Sequence, residues 1–511
     1  MKQTRRDFLQ LSFAAAGLTL VGLPVFADDS SPKNLTIAYS TTVPSWDPTT
    51  GPSGVNPKLQ ALYLSVFDRY IHQEPDLSFS PGILTDWGFS DDKKQVHMTV
   101  REGVKWHDGS DLTPEDVVWS LERAADPASG NPAQFVWGKF GNYKIDGNTI
   151  TGDIFEWEPT LYKWMAFLTG FVLPKAYFEK VGPEGFEKAP IGSGPYKVDA
   201  YEQGAYVRLV ANDDYWGGKP EYDVVTIKFV TDPSSRVAEI ESGSSDVTFE
   251  IPYEEYDRLR ERPGLKGQVF PVADIGMLFL NDVGPMLDKN VRLAAHHAID
   301  KQLIIDRLLR GYGIPLSTLE APEYDAFDPD LNFPYDPEKA KELLAASGYS
   351  PENPVRFTIQ TTRGYKPKDY EMIQAIVGMW RKVGIEADIE IYEIAKHFEL
   401  RAADELAPAA FYNWGNAVGD PTTSTGHSMY GPSPHSVWDS QDLIDKIQPL
   451  WSETDEEKRI QGWKDVSAYI MENGYVIPLL QYVLPVVHSD KVEVLPVAHG
   501  DVVPADMKPA R

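Results

Sequence analysis

Residues 411–421 form the part of this sequence best suited to binding a small molecule. The segment mixes aromatic rings, side-chain amides and glycines, which supply contact area and orientation in small-molecule sites. Its composition changes from that of a strand end to that of a loop. We expect six of its residues to line a ligand site: Asn413, Trp414, Gly415, Asn416, Ala417 and Asp420. An ordinary polar loop is the competing interpretation.

No arrangement of residues in the sequence is typical of an enzyme active site or a metal centre. His107 and Asp108 are adjacent at a predicted turn, where a packed histidine beside a turn residue is the simpler interpretation. His296 and His297 are neighbours on a predicted helix and point about 100° apart, so they cannot share a metal from one face. The His-Glu-x-x-His and Gly-x-Ser-x-Gly motifs are both missing. We expect no catalytic residues, no metal and no cofactor.

The length and charge of the chain limit its fold and its partners. A chain of 511 residues is longer than one hydrophobic core usually serves, so two or three domains are expected. The formal net charge of −28 would repel nucleic acids and anionic membranes. We therefore expect no nucleic-acid partner, although a local pocket can carry the opposite charge.

The first 27 residues have the composition of an export signal rather than of a folded segment. Arg5 and Arg6 lie in a twin-arginine pattern, an apolar run spans residues 11–23, and Ala27 ends a sequence that fits a cleavage site. The sequence has no cysteine, hence no disulfide and no lipid-acceptor thiol after the signal. These features predict a soluble protein exported by the twin-arginine route into a Gram-negative periplasm.

The elements that would position the binding residues alternate between strands and helices. Residues 355–361 and 385–392 have the composition of strands, and a helix is predicted between them at residues 369–383. Strand-helix-strand order is what α/β lobes are built from. The sequence therefore predicts an α/β protein.

Two segments resemble motifs of a known protein family. Residues 97–123 combine an alternating strand, a Gly-Val-Lys-Trp-His-Asp-Gly turn and a helix start at Thr113 and Pro114, and they predict a hairpin that leads into a buried helix. Residues 190–198 hold a Gly-Ser-Gly-Pro-Tyr turn. Both segments are similar to signatures of the family 5 extracellular solute-binding proteins, the dipeptide-, oligopeptide- and nickel-binding components of ABC importers. The resemblance extends over residues 35–494.

The resemblance implies an α/β fold of the periplasmic binding protein type (type II, cluster C), with two lobes, a hinge and an extra domain. By the family pattern, domain I comprises residues 28–58, 186–276 and 483–511, domain II residues 59–185, and domain III residues 277–482. We expect a monomer whose partners are a small-molecule ligand and an ABC permease in the inner membrane.

The same resemblance implies where the ligand lies. Trp46 belongs to a turn that faces the cleft in relatives, and Arg363 and Tyr365 match a turn whose arginine binds the ligand carboxylate in dipeptide-binding members. The planar fork of an arginine suits a carboxylate. The aspartate that binds the peptide ammonium in those members corresponds to Ala417. A retained arginine with a lost aspartate favours an anionic ligand whose α-amine, if present, is not held in the usual way.

These residues predict a receptor for a carboxylate-bearing amino-acid derivative, an opine, an organic acid or a short peptide. An oligosaccharide-binding receptor of the same family is the alternative, because tryptophan rings suit sugar faces. A metal chelate has weaker support, since His427 and His435 follow no metal-binding pattern. An exported hydrolase is a third hypothesis, against which stands the lack of a nucleophile or a paired-carboxylate site. A receptor that docks on a membrane signalling protein is a further hypothesis.

Overall fold

The computed structural model describes residues 33–416, 418–436, 438–495 and 501–510. The predicted export signal and Ala417 lie outside these residues. The architecture is mixed α/β, as the sequence predicts. Within the described ranges, no helix is both long and apolar enough to cross a membrane.

The strands of the described residues are, in chain order, β1 Asn34–Tyr39, β2 Ile71–Gln73, β3 Phe79–Pro81, β4 Leu84–Phe89, β5 Gln95–Val100, β6 Phe140–Asp146, β7 Thr149–Ile154, β8 Tyr196–Glu202, β9 Tyr206–Ala211, β10 Val224–Phe229, β11 Val247–Phe249, β12 Leu265–Leu280, β13 Ile314–Pro315, β14 Val355–Thr361, β15 Ile385–Ile391, β16 Ala409–Gly415, β17 Val476–Ser489, β18 Val492–Glu493 and β19 Lys508–Pro509.

The α-helices are α1 Gly51–Val55, α2 Pro57–Tyr63, α3 Pro114–Ala125, α4 Gln134–Trp137, α5 Leu161–Ala166, α6 Lys175–Lys188, α7 Pro233–Ser242, α8 Tyr253–Leu259, α9 Lys289–His297, α10 Lys301–Leu308, α11 Pro337–Ala346, α12 Asp369–Arg381, α13 Ile394–Ala402, α14 Thr425–Met429, α15 Gln441–Ile447 and α16 Glu456–Asn473.

One large sheet runs through most of the molecule. Its strands lie in the order β15-β14-β16-β12-β17-β11-β1-β10-β9-β8, and β13 also pairs with β17. Strand β1 is parallel to β10 and β11, and β14 is parallel to β15 and β16, whereas the pairs that include β12 or β17 are antiparallel. The predicted strand-helix-strand unit is confirmed as β14, α12 and β15.

Strands β12 and β17 are the two long strands that join the halves of this sheet. Their pairing is interrupted between Pro271, which pairs with Val483, and Ile275, which pairs with Gln481. The interruption is bridged from the side by Gln481, whose Nε2 donates to the carbonyl of Val272 at 3.1 Å. Both connections between the halves are therefore strands that change register at the same level.

Several clusters of buried side chains divide the molecule. The first lobe is built on residues such as Ile37, Tyr63 and Val225. The second lobe covers both faces of the other half-sheet, because successive residues of β12 point to opposite faces: Leu278 packs in one cluster and Phe279 in the other. We call these two bodies the first lobe and the second lobe.

A smaller unit, here called the small-sheet unit, contains the four-stranded sheet β4-β5-β7-β6 and helix α3. Helix α3 begins as the sequence predicts, after Thr113, whose backbone N–H donates to the carboxylate of Asp116 at 2.9 Å. The predicted hairpin is short. Around the Asp108-Gly109 turn, Lys105 and Asp111 form one antiparallel bridge, and the backbone N–H of Leu112 donates to the carbonyl of Val104 at 2.9 Å. Strand β5 itself pairs with β4 and β7.

The turn at residues 190–198 connects the small-sheet unit with the first lobe. A side chain at Gly192 would place its Cβ 2.0 Å from the carbonyl oxygen of Val66, so only glycine fits there. The backbone N–H of Gly192 donates to Nδ1 of His107 at 3.1 Å, and Nε2 of His107 lies 3.0 Å from the carbonyl oxygen of Gly194. The two family-like segments are thus packed against each other, and His107 is a structural residue.

Candidate functional site

A polar cluster lies where β12, β16 and the turn after β14 meet. The carboxylate of Asp274 on β12 accepts hydrogen bonds from Nζ of Lys366 and, at 2.6 Å, from Nδ2 of Asn413 on β16. The Lys366 ammonium also lies 5.3 Å from the ring of Tyr365 and 5.7 Å from that of Tyr482. This arrangement brings two of the predicted ligand residues, Tyr365 and Asn413, to one place.

Some polar atoms of this cluster have no protein partner among the described residues. The Oδ1 of Asn413 and the hydroxyl of Tyr482 are both buried and make no hydrogen bond. Tyr365, by contrast, is 41% exposed. Partial burial and the charge of Asp274 raise the pKa of Tyr365, so its hydroxyl stays protonated near neutral pH and can donate to a ligand.

The turn between β14 and α12 is held by one buried carboxylate. Asp369 accepts hydrogen bonds from the backbone N–H groups of Gly364 at 2.8 Å, Tyr365 at 3.0 Å and Lys366 at 3.2 Å. The hydroxyl of Thr362 donates to the same carboxylate at 2.7 Å. Gly364 has a φ of +82°, a conformation that favours glycine. Asp369 thus fixes the backbone from which the neighbouring side chains project.

Arg363 projects from this turn into solvent. Its guanidinium lies 4.0 Å from the centre of the Tyr370 ring, a distance typical of a cation–π contact. Arg363 is exposed and makes no ion pair with a carboxylate in the described part of the chain. Its hydrogen-bond donors are therefore available to an anionic group from outside the protein.

Trp414 and Gly415 end strand β16 beside this cluster. The indole N–H of Trp414 donates to the carbonyl of Thr423 at 2.7 Å, and the ring is half-buried. Gly415 is exposed and pairs in the sheet with Asp274. A half-buried ring with a fixed indole next to an exposed glycine offers an apolar surface to a ligand.

Asn416 organises the loop that follows β16. Its Oδ1 accepts from the backbone N–H groups of Gly419 and Asp420, at 3.0 and 3.2 Å, and from the hydroxyl of Thr423 at 2.6 Å. Its Nδ2 donates to the carbonyl of Asp420 at 3.1 Å. The side-chain amide is buried, and its hydrogen bonds are made within the loop. The structure therefore gives Asn416 a positioning role.

Asp420 is fully buried and joins the second lobe to the small-sheet unit. Its carboxylate lies 3.0 Å from Nζ of Lys163 on α5 and 2.5 Å from Nη2 of Arg459 on α16. Burial alone would raise the pKa of Asp420, but the two cations outweigh burial and hold that pKa well below its usual value. We call Asp420, Lys163 and Arg459 the Asp420 triad.

Trp46 lies in the core of the first lobe. Its ring packs against Tyr201 at 5.3 Å and Tyr63 at 6.2 Å, and 1% of the residue is exposed. The next residue, Asp47, pairs with Arg123 of α3 at 2.5 Å. None of the hydrogen bonds or ring contacts of Trp46 among the described residues reaches β16 or the Arg363 turn.

The structure therefore brings together Tyr365 and Asn413, with Arg363 on the adjoining turn. Trp414 packs on the other face of β16, against Phe279 and Tyr412, and Gly415 ends the strand opposite Asp274. Asn416 and Asp420 lie in the same loop but are occupied by protein partners, Trp46 lies apart, and Ala417 is outside the described residues. Sequence reasoning missed Asp274 and Lys366. Their ion pair joins residues 92 positions apart, so no local pattern indicates it.

The histidines considered for chemistry have structural surroundings. His296 and His297 both pack on Phe333, and the centre of each imidazole ring lies 4.3 Å from the centre of the Phe333 ring. Among the residues that the structure describes, no group of three or more histidine, aspartate or glutamate side chains could hold a metal ion. An open groove of about 590 Å³ lies elsewhere, between Arg260, Lys266 and His488, and carries no such group.

Comparison with known proteins identifies the family. The profile of "Bacterial extracellular solute-binding proteins, family 5 Middle" matches residues 78–433. The dipeptide-binding protein of Escherichia coli (strain K12) is 28% identical over 502 residues, covering 90% of this chain and 91% of that protein. Heme-binding protein A of Haemophilus influenzae is 25% identical over 514 residues, covering 92% of this chain and 93% of that protein.

The fold is shared with solved structures. The structure of NikA from Brucella suis in complex with Fe(III)-EDTA has a TM-score of 0.83 at 21% identity, and the match covers 93% of this chain and 99% of that chain. The predicted family fold is thereby confirmed. The relatives named here are binding proteins rather than enzymes. Since the family profile spans well over half of the sequence, this chain belongs to the family 5 bacterial extracellular solute-binding proteins.

Proposed function

We propose that this protein captures a small carboxylate-bearing solute in the cleft between its two lobes and delivers it to an ABC permease. The class includes short peptides, opines, other amino-acid derivatives and organic acids. The observation that carries the proposal is Arg363, an exposed guanidinium that has no carboxylate partner in the described structure. An arginine held on a ring face presents a planar, bidentate donor pair, which matches a carboxylate.

The surroundings of Arg363 support a built site rather than a stray surface charge. Asp369 fixes the turn through three backbone amides, so the direction of the arginine is set by the fold. Tyr365 and Asn413 add a hydroxyl and an amide close by. The ligand would replace water on these groups, and it would bind most tightly where it contacts several of them at once.

The amine end of a peptide would be held differently from its usual place in the family. Ala417 cannot bind an ammonium group, and Asp274, an acid of this cluster, is already paired with Lys366. The relative in Escherichia coli is a dipeptide-binding protein, so peptides stay within the proposed class. Ligands without an α-amine fit the residues equally well.

We also propose that the lobes close around the ligand by bending at the interruption of β12 and β17. Both connections change register there, between Pro271 and Ile275 on one strand and opposite Gln481 on the other. Two adjacent connections restrict the motion more than one connection would, as in hinge closure around a ligand. The three-domain division, twin-arginine export and a Gram-negative periplasmic location predicted above belong to this proposal.

The test compares Arg363→Ala with Arg381→Ala, which removes an exposed arginine from the far end of α12. Native mass spectrometry of the purified protein, followed by gentle denaturation, would identify any carried ligand. A thermal-shift panel of peptides, opines, organic acids and oligosaccharides extends the search. We expect Arg363→Ala to weaken binding of the best ligand by about 10- to 100-fold, the range of a hydrogen bond to a charged group.

Equal affinity of wild type and Arg363→Ala would contradict the carboxylate site. A preference for neutral oligosaccharides in the panel would replace the proposed class with a sugar. Chemical conversion of any compound during incubation would show an enzyme instead of a receptor.

A further inference from the structure

Arg401, in the last turn of α13, carries a guanidinium surrounded by rings. Its central carbon lies 5.4 Å from the ring centre of Phe398, 5.3 Å from that of Tyr412 and 5.7 Å from that of Trp414. Its Nη2 lies 3.3 Å from Nδ1 of His435. Its Nη1 is buried and meets no acceptor at hydrogen-bonding geometry among the described residues, and the hydroxyl of Tyr412 is a polar neighbour of the guanidinium. No carboxylate of the described residues forms an ion pair with Arg401.

Two buried arginines of the second lobe have acceptors within the protein. Arg292 also lies against aromatic rings, but its Nε and Nη1 donate to the carbonyls of Asn473 and Met286. Arg459 pairs with Asp420. Arg401 is half-buried, so its charge has lost part of its water, and no carboxylate of the described residues replaces that water. An anion from outside the protein would supply the missing counter-charge.

The space around Arg401 is lined by further donors and rings. His427 and His435 have ring centres 6.0 Å apart, and His427 lies 6.2 Å from Trp451. The indole N–H of Trp451 is buried and makes no hydrogen bond with any described residue. Phe135 of the small-sheet unit reaches to 6.2 Å from His427. We call this set of residues, Arg401, Trp414, His427, His435 and Trp451, the Arg401 pocket.

The Arg401 pocket adjoins the Arg363 site through strand β16. Tyr412 and Trp414, which lie against Arg401, alternate along this strand with Asn413, which hydrogen-bonds Asp274. Burial raises the pKa of Tyr412 to about 12; Tyr365 and Asp274 also raise it, and Arg401 lowers it. A ligand that extends across the end of β16 would contact both regions.

We propose that the Arg401 pocket binds a second acidic group of the ligand, so that the solute carried by this protein is a dicarboxylate. This inference rests on the proposed function, in which Arg363 holds the first carboxylate. The guanidinium and the indole N–H of Trp451 supply donors, and the rings of Phe398, Tyr412 and Trp414 shield part of the guanidinium from water, which strengthens a charge-assisted hydrogen bond. A solute with one acid and one neutral end would leave Arg401 unpaired and bind less tightly.

The experiment measures binding of α,ω-dicarboxylates of four to eight carbons, each beside its monoamide, by isothermal titration calorimetry. In wild type, we expect at least one dicarboxylate to bind at least tenfold more tightly than its monoamide. Arg401→Gln should remove this preference, Arg401→Lys should keep part of it, and the matched surface variant Arg356→Gln should leave it unchanged. Thermal melting of each ligand-free variant checks folding.

The outcomes separate this inference from the function on which it rests. If Arg363→Ala abolishes binding of both members of a pair while Arg401→Gln abolishes only the difference between them, both proposals hold. If Arg363→Ala has no effect, the carboxylate site at Arg363 is wrong, whatever Arg401→Gln does. If no dicarboxylate is preferred over its monoamide, or the preference survives in Arg401→Gln, the Arg401 pocket does not bind an acidic group.

Discussion

Asp420 and Arg363 are two charged residues of the second lobe that the sequence places in the same ligand site, yet the fold treats them in opposite ways. Asp420 is fully buried between Lys163 and Arg459, whereas Arg363 is exposed and rests on the Tyr370 ring. The Asp420 carboxylate holds the second lobe against the small-sheet unit. The Arg363 guanidinium is available to a ligand. Whether a charge has a protein partner therefore separates scaffold from binding surface better than its position in a motif does.

The largest effect should come from removing the buried charge. Asp420→Ala leaves Lys163 and Arg459 without their common partner, and breaking a buried ion pair costs about 3–5 kcal/mol. We expect a decrease of that size in the free energy of unfolding of the ligand-free protein, measured by urea denaturation at pH 7. The control is Asp199→Ala, which removes an exposed partner of Arg208 and should cost less than about 1 kcal/mol. Similar losses in the two variants would contradict a structural role for the triad.

Asp369→Ala should have an intermediate effect on stability together with a loss of binding. The substitution leaves the amides of Gly364, Tyr365 and Lys366 without their acceptor, at about 1–3 kcal/mol. We expect a lower free energy of unfolding and weaker ligand binding, because the turn that carries Arg363 loses its anchor. Glu371→Ala, two residues further along α12, is the matched control. Unchanged affinity in Asp369→Ala would show that the turn does not need this anchor.

Glu320 provides a pH test beside the triad. It is buried, accepts from Thr425 at 2.7 Å, and burial raises its pKa to about 7 from the usual 4.5. A raised pKa in the folded state stabilises the fold below pH 4.5, and this contribution is lost as the pH rises through about 7. Glu320→Gln should therefore raise the melting temperature by a few degrees at pH 8 and leave it unchanged at pH 4.

Asp420 should respond to pH in the opposite direction. Its pKa is lowered in the folded state, so its contribution is present above the usual aspartate value of 3.8 and is lost as the pH falls further. A melting profile of wild type from pH 3 to pH 8 should fall at both ends. If Glu320→Gln melts at the same temperature as wild type at pH 8, the ionised form of Glu320 does not destabilise the fold, and the prediction is wrong.

The smallest effect on stability belongs to Arg363. Since its guanidinium pairs with no described carboxylate, Arg363→Ala should change the free energy of unfolding of the ligand-free protein by no more than about 0.5 kcal/mol. The same variant is expected to weaken ligand binding strongly. A stability loss as large as that of Asp420→Ala would place Arg363 with the scaffold and end the contrast between the two residues.

Much of the local structure could be predicted from the sequence. The start of α3 at Thr113 and Pro114 is as predicted. Residue types of the same kind mark other helix ends: Asp300 caps α10 and accepts from the backbone N–H of Leu303 at 2.9 Å, and Gly243 follows α7 in the left-handed conformation. Caps and turns depend on residues that are close in the sequence, so local patterns are sufficient to predict them.

Long-range structure was less accessible. Strand β17 runs without a break from Val476 to Ser489, and only Val492–Glu493 is extended after it. Prolines at 478 and 485 disfavour a long continuous strand in a sequence, although both residues lie in the sheet. For the site, composition indicated Trp414 and Asn413, but it could not show that Asn416 and Asp420 are occupied, because their partners lie on other elements.

The position of β17 in the large sheet constrains how the chain is made. This strand lies between β11 and β12, which do not pair with each other in the sheet order, yet it is synthesised after every other strand of that sheet. A nascent chain that ends before residue 476 holds two half-sheets without the strand between them. The complete sheet therefore forms only after translation has nearly finished, and a premature stop before residue 476 would leave β12 without the partner strand that joins the two halves beside it.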